Sequence, residues 1–167
     1  IFKSLAIIMK TTLISHASLL IQSGDTTLLT DPVFFNFLWE ECNVPCPSID
    51  LDLKNLPTID ILNISHRHQD HFDIRTLAHI AASNSMLASD AIVLAPRDEI
   101  LLDVLKELEF KNVTVVEDCA HTMGARWNGV PSGRHGAVAC YSTQTYKHMN
   151  SGEGGLLVTD DEDIAAK

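Results

Sequence analysis

The feature that most constrains this chain is the run Ser65-His66-Arg67-His68-Gln69-Asp70-His71-Phe72-Asp73, where three imidazoles and a carboxylate fall between positions 66 and 71. Neutral imidazole nitrogen and carboxylate oxygen are the donors that a borderline cation such as Zn²⁺ prefers, and crowding them is unfavourable unless a cation gathers them. The run follows a short apolar stretch, residues 59–64, with Pro57 before it and the histidines after it. That is the pattern of a buried strand delivering polar residues at its end. Any fold this chain adopts must therefore hold the string at one strand's tip. The H-x-H-x-D-H spacing lets His66 and His68 face one cation while Asp70 and His71 face a second. Two such cations would hold a bridging hydroxide as nucleophile, because coordination lowers the pKa of water from about 15.7 to roughly 7. Singly, each histidine reads as a solvated loop residue; as a string, His66, His68, Asp70 and His71 read as metal ligands, with Asp70 also placed for catalysis.

Around the string the periodicity describes a layered α/β chain. Residues 12–22 and 26–30 are β-rich and separated by Ser23, Gly24 and Asp25, the turn chemistry of a hairpin. Asp31-Pro32 stops the second strand, and residues 33–49, with Pro45, Pro47 and several exposed-looking aromatics, read as an irregular covering loop. Helical spacing runs over 73–82 and 98–108, the latter with Leu101, Leu102, Leu105 and Leu108 on one face, and strands are expected at 91–95 and 113–116. After Glu117 the texture becomes rich in glycine and serine, with short apolar runs at 137–141 and 156–159. A boundary is expected near 116–118 without a flexible linker, since no proline, serine or charge run separates the two parts. This gives a first unit over 1–116 and a second over 117–167.

With 46% apolar and 20% charged residues the composition is that of an ordinary globular protein, large enough for one sizeable core. The net charge of -10 argues against nucleic-acid or anionic-membrane partners, which would repel such a chain. Cys42, Cys46, Cys119 and Cys140 form no C-x-x-C pair, so a reducing, cytoplasmic setting is the simpler expectation. Residues 1–9 are apolar but too short to span a bilayer and lack a cleavage pattern, so they read as a strand or leader. A chain that starts with Ile and stops at Lys167 in a helical pattern reads as a fragment.

His66-Arg67-His68-Gln69-Asp70-His71 resembles the signature of the metallo-β-lactamase superfamily. Ser15-His16-Ala17-Ser18, followed by Leu28-Leu29-Thr30-Asp31-Pro32, is similar to the opening hairpin of its ascorbate-6-phosphate-lactonase-like and phospholipase-D-like branch. The resemblance covers residues 11 to about 116, the first half of such a fold. It implies the N-terminal half of an αβ/βα sandwich, one or two divalent metals, usually zinc, and hydrolysis of an ester, lactone, amide or phosphodiester in a small-molecule substrate. The family's remaining ligands should follow the helices, where His121, His135 and His148 are what is left, and Asp118 and His121 are the residues that would be drafted. Arg67, Gln69 and Phe72 are expected to shape the loop. His16 reads first as a satisfied core histidine and Asp31 as a turn residue before Pro32; approach of both to the cluster from the hairpin is the alternative.

The second constellation is Glu117-Asp118-Cys119-Ala120-His121, then Ser142 and Lys147, then Gly152-Glu153-Gly154-Gly155. A lysine framed by small and hydroxyl residues suits a pyridoxal phosphate site: the amine must become neutral to form a Schiff base, a hydroxyl can hold the phosphate, and a carboxylate can hold the pyridinium nitrogen. These motifs, over residues 117–163, resemble the DegT/StrS-type nucleotide-sugar aminotransferases. The resemblance implies that Asp118 pairs with the pyridine nitrogen, His121 lies near the ring oxygen, Ser142 contacts the phosphate, and Lys147 is the catalytic Schiff-base lysine. It also implies that the chain continues as a short α/β segment of a large-domain type. The phosphate-binding helix start and closing C-terminal domain of that family are missing.

Three functions follow. The first is a metal-dependent hydrolase half fused to an aminotransferase segment, neither site complete; the second is a small metallohydrolase whose tail supplies the missing ligands. The third is an aminotransferase fragment that a partner completes or that is non-catalytic. Association of chains to cover an open sheet edge is a further expectation.

Overall fold

The computed structural model describes residues 8–36 and 44–166. Cys42 and most of the expected strand or leader at 1–9 lie outside these residues, as does the middle of the covering loop. Three strands open the chain, β1 (Met9–Ser15), β2 (Ser18–Ser23) and β3 (Thr26–Thr30), each antiparallel to the next. The stretch 12–22 is therefore two strands rather than one. His16 and Ala17 turn the chain between them, with His16 at φ 34°. No glycine or proline marks this turn, so the pattern of apolar residues ran straight through it. The second turn sits at Gly24, φ 57°, where the sequence places it.

From β3 the chain alternates. β4 (Ile59–Asn63), α1 (Ile74–Ala82), β5 (Leu87–Ala95), α2 (Glu99–Glu107) and β6 (Val113–Asp118) follow a short 3-10 turn at Leu53–Asn55. A two-stranded hairpin, β7 (Arg126–Trp127) and β8 (Val130–Pro131), then precedes β9 (Val138–Ser142), β10 (Gly155–Val158) and a last helical turn α3 (Glu162–Ala165). One eight-stranded sheet results, in the order β1-β2-β3-β4-β5-β6-β9-β10. Pairing is parallel from β3 through β9 and antiparallel at both ends. The chain is thus a mixed α/β protein with a large, mostly parallel sheet. β6 crosses the expected junction at 116–118: its first half pairs with β5 and its second half with β9.

Each helix starts on an aspartate. The Asp73 carboxylate accepts from Thr76 N–H and that of Asp98 from Leu101 N–H, satisfying donors the helices leave free. Leu77 and Ile80 on α1, and Leu101 and Leu105 on α2, bury fully against Leu29, Ile59, Leu62 and Val93 of the sheet. Leu102 and Leu108 pack at the margin of this core. The start of the covering loop is less exposed than its aromatics suggest: Phe34 is buried, and its N–H donates to Thr76 Oγ1 at 3.0 Å. Asn36 and Ile49 close the loop's ends on each other.

Beyond β6 the burial thins. No residue of β10 or α3 is buried, and Leu156, Leu157 and Val158 all face solvent in part. Stability therefore rests on the β3–β6 half. Leu62→Ala, at a fully buried position of the strand that carries the histidine loop, is expected to cost about 2–5 kcal/mol. In urea unfolding the midpoint should fall with an unchanged slope; a cost below about 1 kcal/mol would contradict this account of the core.

Candidate functional site

The parallel pairing brings the carboxyl ends of β3, β4, β5, β6 and β9 to one edge, the place where open α/β sheets bind ligands. Asp31 follows β3, the string 66–71 follows β4, Arg97 and Asp98 follow β5, Asp118 ends β6 and Ser142 ends β9. Both constellations thus share an edge, with β5 between them.

At the first, the string is a tight turn closed by His71 N–H and Phe72 N–H donating to His68 O at 2.8 and 2.7 Å, and Phe72 anchors it in the core. Arg67 turns to Asp98, Nε to Oδ2 3.2 Å, and Gln69 is exposed. Asp31 organises the loop. Its buried carboxylate accepts from Ser65 N–H at 2.7 Å and Ser65 Oγ at 2.8 Å, and Oδ2 lies 2.9 Å from His71 Nδ1. Ser65 Oγ in turn meets His66 Nδ1 at 2.9 Å. The rings of His66 and His68 touch, Nε2 to Nδ1 3.1 Å, and Asp70 Oδ2 lies 3.8 Å from His71 Nε2. His16 Nε2 completes the group at 3.0 Å from Asp70 Oδ2. Burial, then the neighbouring His71 and His68, holds His66 below the ordinary imidazole range, although Asp31 and Asp70 pull the other way.

Two sequence expectations change here. His16 is not a core histidine, since its side chain is 55% exposed, and Asp31 is more than a turn residue before Pro32. Both have left-handed backbones, φ 34° and 40°, a conformation uncommon outside glycine that is retained where surrounding structure enforces it. Among the described residues, the donor atoms of His16, Asp70 and His71 lie within 4.8 Å of one another, whereas His66 and His68 stand outside that set.

At the second constellation, Lys147 Nζ meets His121 Nε2 at 2.6 Å. Asp118 and Ser142 are not in contact with that pair: Asp118 Oδ1 accepts from Ala120 N–H and Ser142 Oγ from Gln144 N–H. Asp118 is in register with Cys140, so Ser142, two residues on, shares the face of Asp118. Thr143, Ser151 and Gly154 knit the lysine loop to β9 and β10.

Between the constellations lies a cleft of about 770 Å³, with Arg67, Arg97 and Asp98 on one side and Asp118, Arg126, Trp127 and His135 on the other. Its far wall hangs on Glu117, which sequence reading passed over as part of the E-D-x-A-H string. This buried carboxylate accepts from Gly133, His135 and Gly136 N–H at 2.9, 2.6 and 2.7 Å. Arg97 then donates to His135 O at 3.1 Å, tying that turn to β5. Gly136 is required by proximity, because a Cβ there would meet Val115 O at 2.6 Å. Burial alone would raise the Glu117 pKa, but the three N–H donors together hold it below its ordinary 4.5.

Residues 102–167 match the model of the DegT/DnrJ/EryC1/StrS aminotransferase family. The C-terminal segment is similar to that family. The matched stretch begins inside α2, upstream of the expected start at 117. The chain is 45% identical over 67 residues to the L-glutamine:scyllo-inosose aminotransferase of Streptomyces griseus, covering 40% of this chain and 16% of that protein. Against the GDP-perosamine synthase of Caulobacter vibrioides it is 39% identical over 64 residues, covering 38% and 17%. The chain therefore spans about a sixth of the length of these curated relatives. Among solved structures, the diiron β-hydroxylase CmlA from Streptomyces venezuelae is similar over 92% of this chain and 28% of its own, at 21% identity and a TM-score of 0.49. Among the described residues no helix is long and apolar enough to cross a membrane.

Glu117 gives a pH-dependent test. Its folded pKa is depressed, so its stabilising contribution is complete above the ordinary carboxylate range and is lost as pH falls through the folded-state value. Glu117→Gln is expected to lower stability by about 1–3 kcal/mol at neutral pH, through backbone N–H groups left without an acceptor. The gap between wild type and variant should narrow on acidification; a gap independent of pH from neutral to acid would show that the carboxylate charge is not what holds the turn.

Proposed function

We propose that the segment from residue 102 onward is the cofactor-lysine portion of a pyridoxal phosphate-dependent sugar aminotransferase, with Lys147 as the reactive lysine. The observation that carries this reading is the 45% identity over 67 residues to a named aminotransferase. The donor chemistry of the chain fits the group: a half-buried amine against an imidazole, and a carboxylate and a hydroxyl sharing a face at the same sheet edge. Asp118 would hold the pyridine nitrogen, His121 would lie near the ring oxygen, Ser142 would hold the phosphate and Lys147 would attach the cofactor. When bound, pyridoxal phosphate supplies an electron sink for amino transfer. His121 Nε2, 2.6 Å from Lys147 Nζ, is placed to take the proton the amine must lose. The substrate would be a small keto-sugar or cyclitol of the kind its relatives' names describe.

The chain spans about a sixth of the length of such enzymes, and the cofactor-lysine portion can be tested on it directly. Incubation with pyridoxal phosphate, borohydride reduction and peptide mapping should place the pyridoxyl group on Lys147 selectively. Lys147→Ala should remove the label and Asp118→Asn reduce it; equal labelling of the other lysines would overturn the reading.

A second reading is favoured by the convergence of His16, Asp70 and His71. In it, residues 1–116 are the first half of a metallo-β-lactamase-like hydrolase and 117–167 an appended aminotransferase-like segment. The donor set fits a divalent cation such as zinc, with two imidazole nitrogens and a carboxylate oxygen gathered at one strand edge. His66, His68, Asp70 and His71 would hold one or two cations, which would polarise a lactone or phosphodiester and acidify water. Arg67 pairs with Asp98, the residue that caps α2. Metal-dependent hydrolysis of a lactone or phosphodiester, abolished by His68→Ala, is the expected result; hydrolysis that survives a chelator would exclude it.

A further inference from the structure

We infer that His16 joins Asp70 and His71 as a ligand of one cation, beside the position that His66 and His68 would serve, with Asp31 fixing the orientation of His71; the inference rests on the metal-binding reading above. Three features of the geometry carry it. The first is convergence from separate parts of the chain: His16 comes from the β1–β2 turn and Asp70 and His71 from the loop after β4, yet their donor atoms all lie within 4.8 Å of one another. His66 and His68, although nearer in sequence to Asp70, contact each other instead.

The second is the orientation of His71. Its Nδ1 lies 2.9 Å from Asp31 Oδ2, with the carboxylate buried. That contact turns the other ring nitrogen, Nε2, toward Asp70 Oδ2 at 3.8 Å. A carboxylate behind a histidine, fixing its ring and raising its basicity, is how metal-ligating imidazoles are oriented. A separation of 3.8 Å is long for a hydrogen bond but suits two atoms that share a cation, each about 2.0–2.2 Å from it.

The third is the backbone. His16 and Asp31 occupy left-handed conformations at φ 34° and 40° on adjoining turns of one sheet edge. Ser18 Oγ, fully buried, donates to Asp31 O and accepts from Val33 N–H at 2.8 Å, locking the two turns together. Such conformations persist only where the surroundings over-determine them. Here the consequence is that an imidazole with a half-exposed side chain is held against a carboxylate. His16 Nε2 sits 3.0 Å from Asp70 Oδ2.

The test is Zn²⁺ titration of the full chain, stripped of metal, by calorimetry, together with the visible absorption of the Co²⁺ form. Wild type should bind with a defined stoichiometry and give a ligand-field spectrum. His16→Asn keeps a residue tolerant of the left-handed conformation and removes the imidazole. It should weaken the cation by more than the roughly 10–100-fold that loss of an outer partner produces and alter the Co²⁺ spectrum. Asp31→Asn should weaken it about 10–100-fold while leaving the spectrum close to that of wild type. His16→Ala, compared with His16→Asn in thermal unfolding, separates loss of the turn from loss of the ligand. Cation uptake by His16→Asn equal to that of wild type would overturn the assignment and leave the metal reading standing. No uptake by wild type would remove both.

Discussion

The parallel pairing of β3, β4, β5, β6 and β9 is the constraint on which everything else depends. Parallel strands present their carboxyl ends on the same edge, and the connections between them must emerge there. Every group of chemical interest in this chain stands at that edge: Asp31, the histidine loop, Arg97 and Asp98, Asp118 and Ser142. β6 is the strand that joins the two halves, since it hydrogen-bonds to β5 along Val113–Val115 and to β9 along Val116–Asp118. A segment similar to an aminotransferase family is thereby set in register with a strand system that carries a histidine cluster.

Two buried carboxylates do parallel work on the two sides of the shared cleft. Asp31 grips the loop after β4 through Ser65 and His71, and Glu117 grips the turn at 133–136 through three backbone N–H groups. A buried carboxylate is unfavourable unless its oxygens are satisfied, so each fixes the segments that satisfy it. In both cases the carboxylate holds a loop at a strand's end.

Much of the architecture could be read from periodicity. The alternation of short apolar runs with leucine-faced helical spacing located β4, α1, β5, α2 and β6, and Asp73 and Asp98 stood where the helices begin. The break at His16 was hidden because a left-handed histidine leaves no mark in an apolar pattern, and Phe34 looked exposed because a loop's burial depends on what it covers. The continuity of the sheet across 116–118 was equally invisible, because a change of composition does not show which strands will pair.

The linear order of residues by itself determined which donors exist and how densely they are packed: three imidazoles and a carboxylate at one strand's tip, and an acid, a hydroxyl and a lysine spaced along the tail. That followed from local chemistry, for which near neighbours suffice. Only the tertiary structure decided which of them meet. His16 reaches Asp70 across more than fifty positions of sequence, and Asp31 fixes the ring of His71 across forty. Such pairings arise from strand register and from backbone conformations enforced by the packed sheet, neither of which is encoded within the few residues that surround each donor.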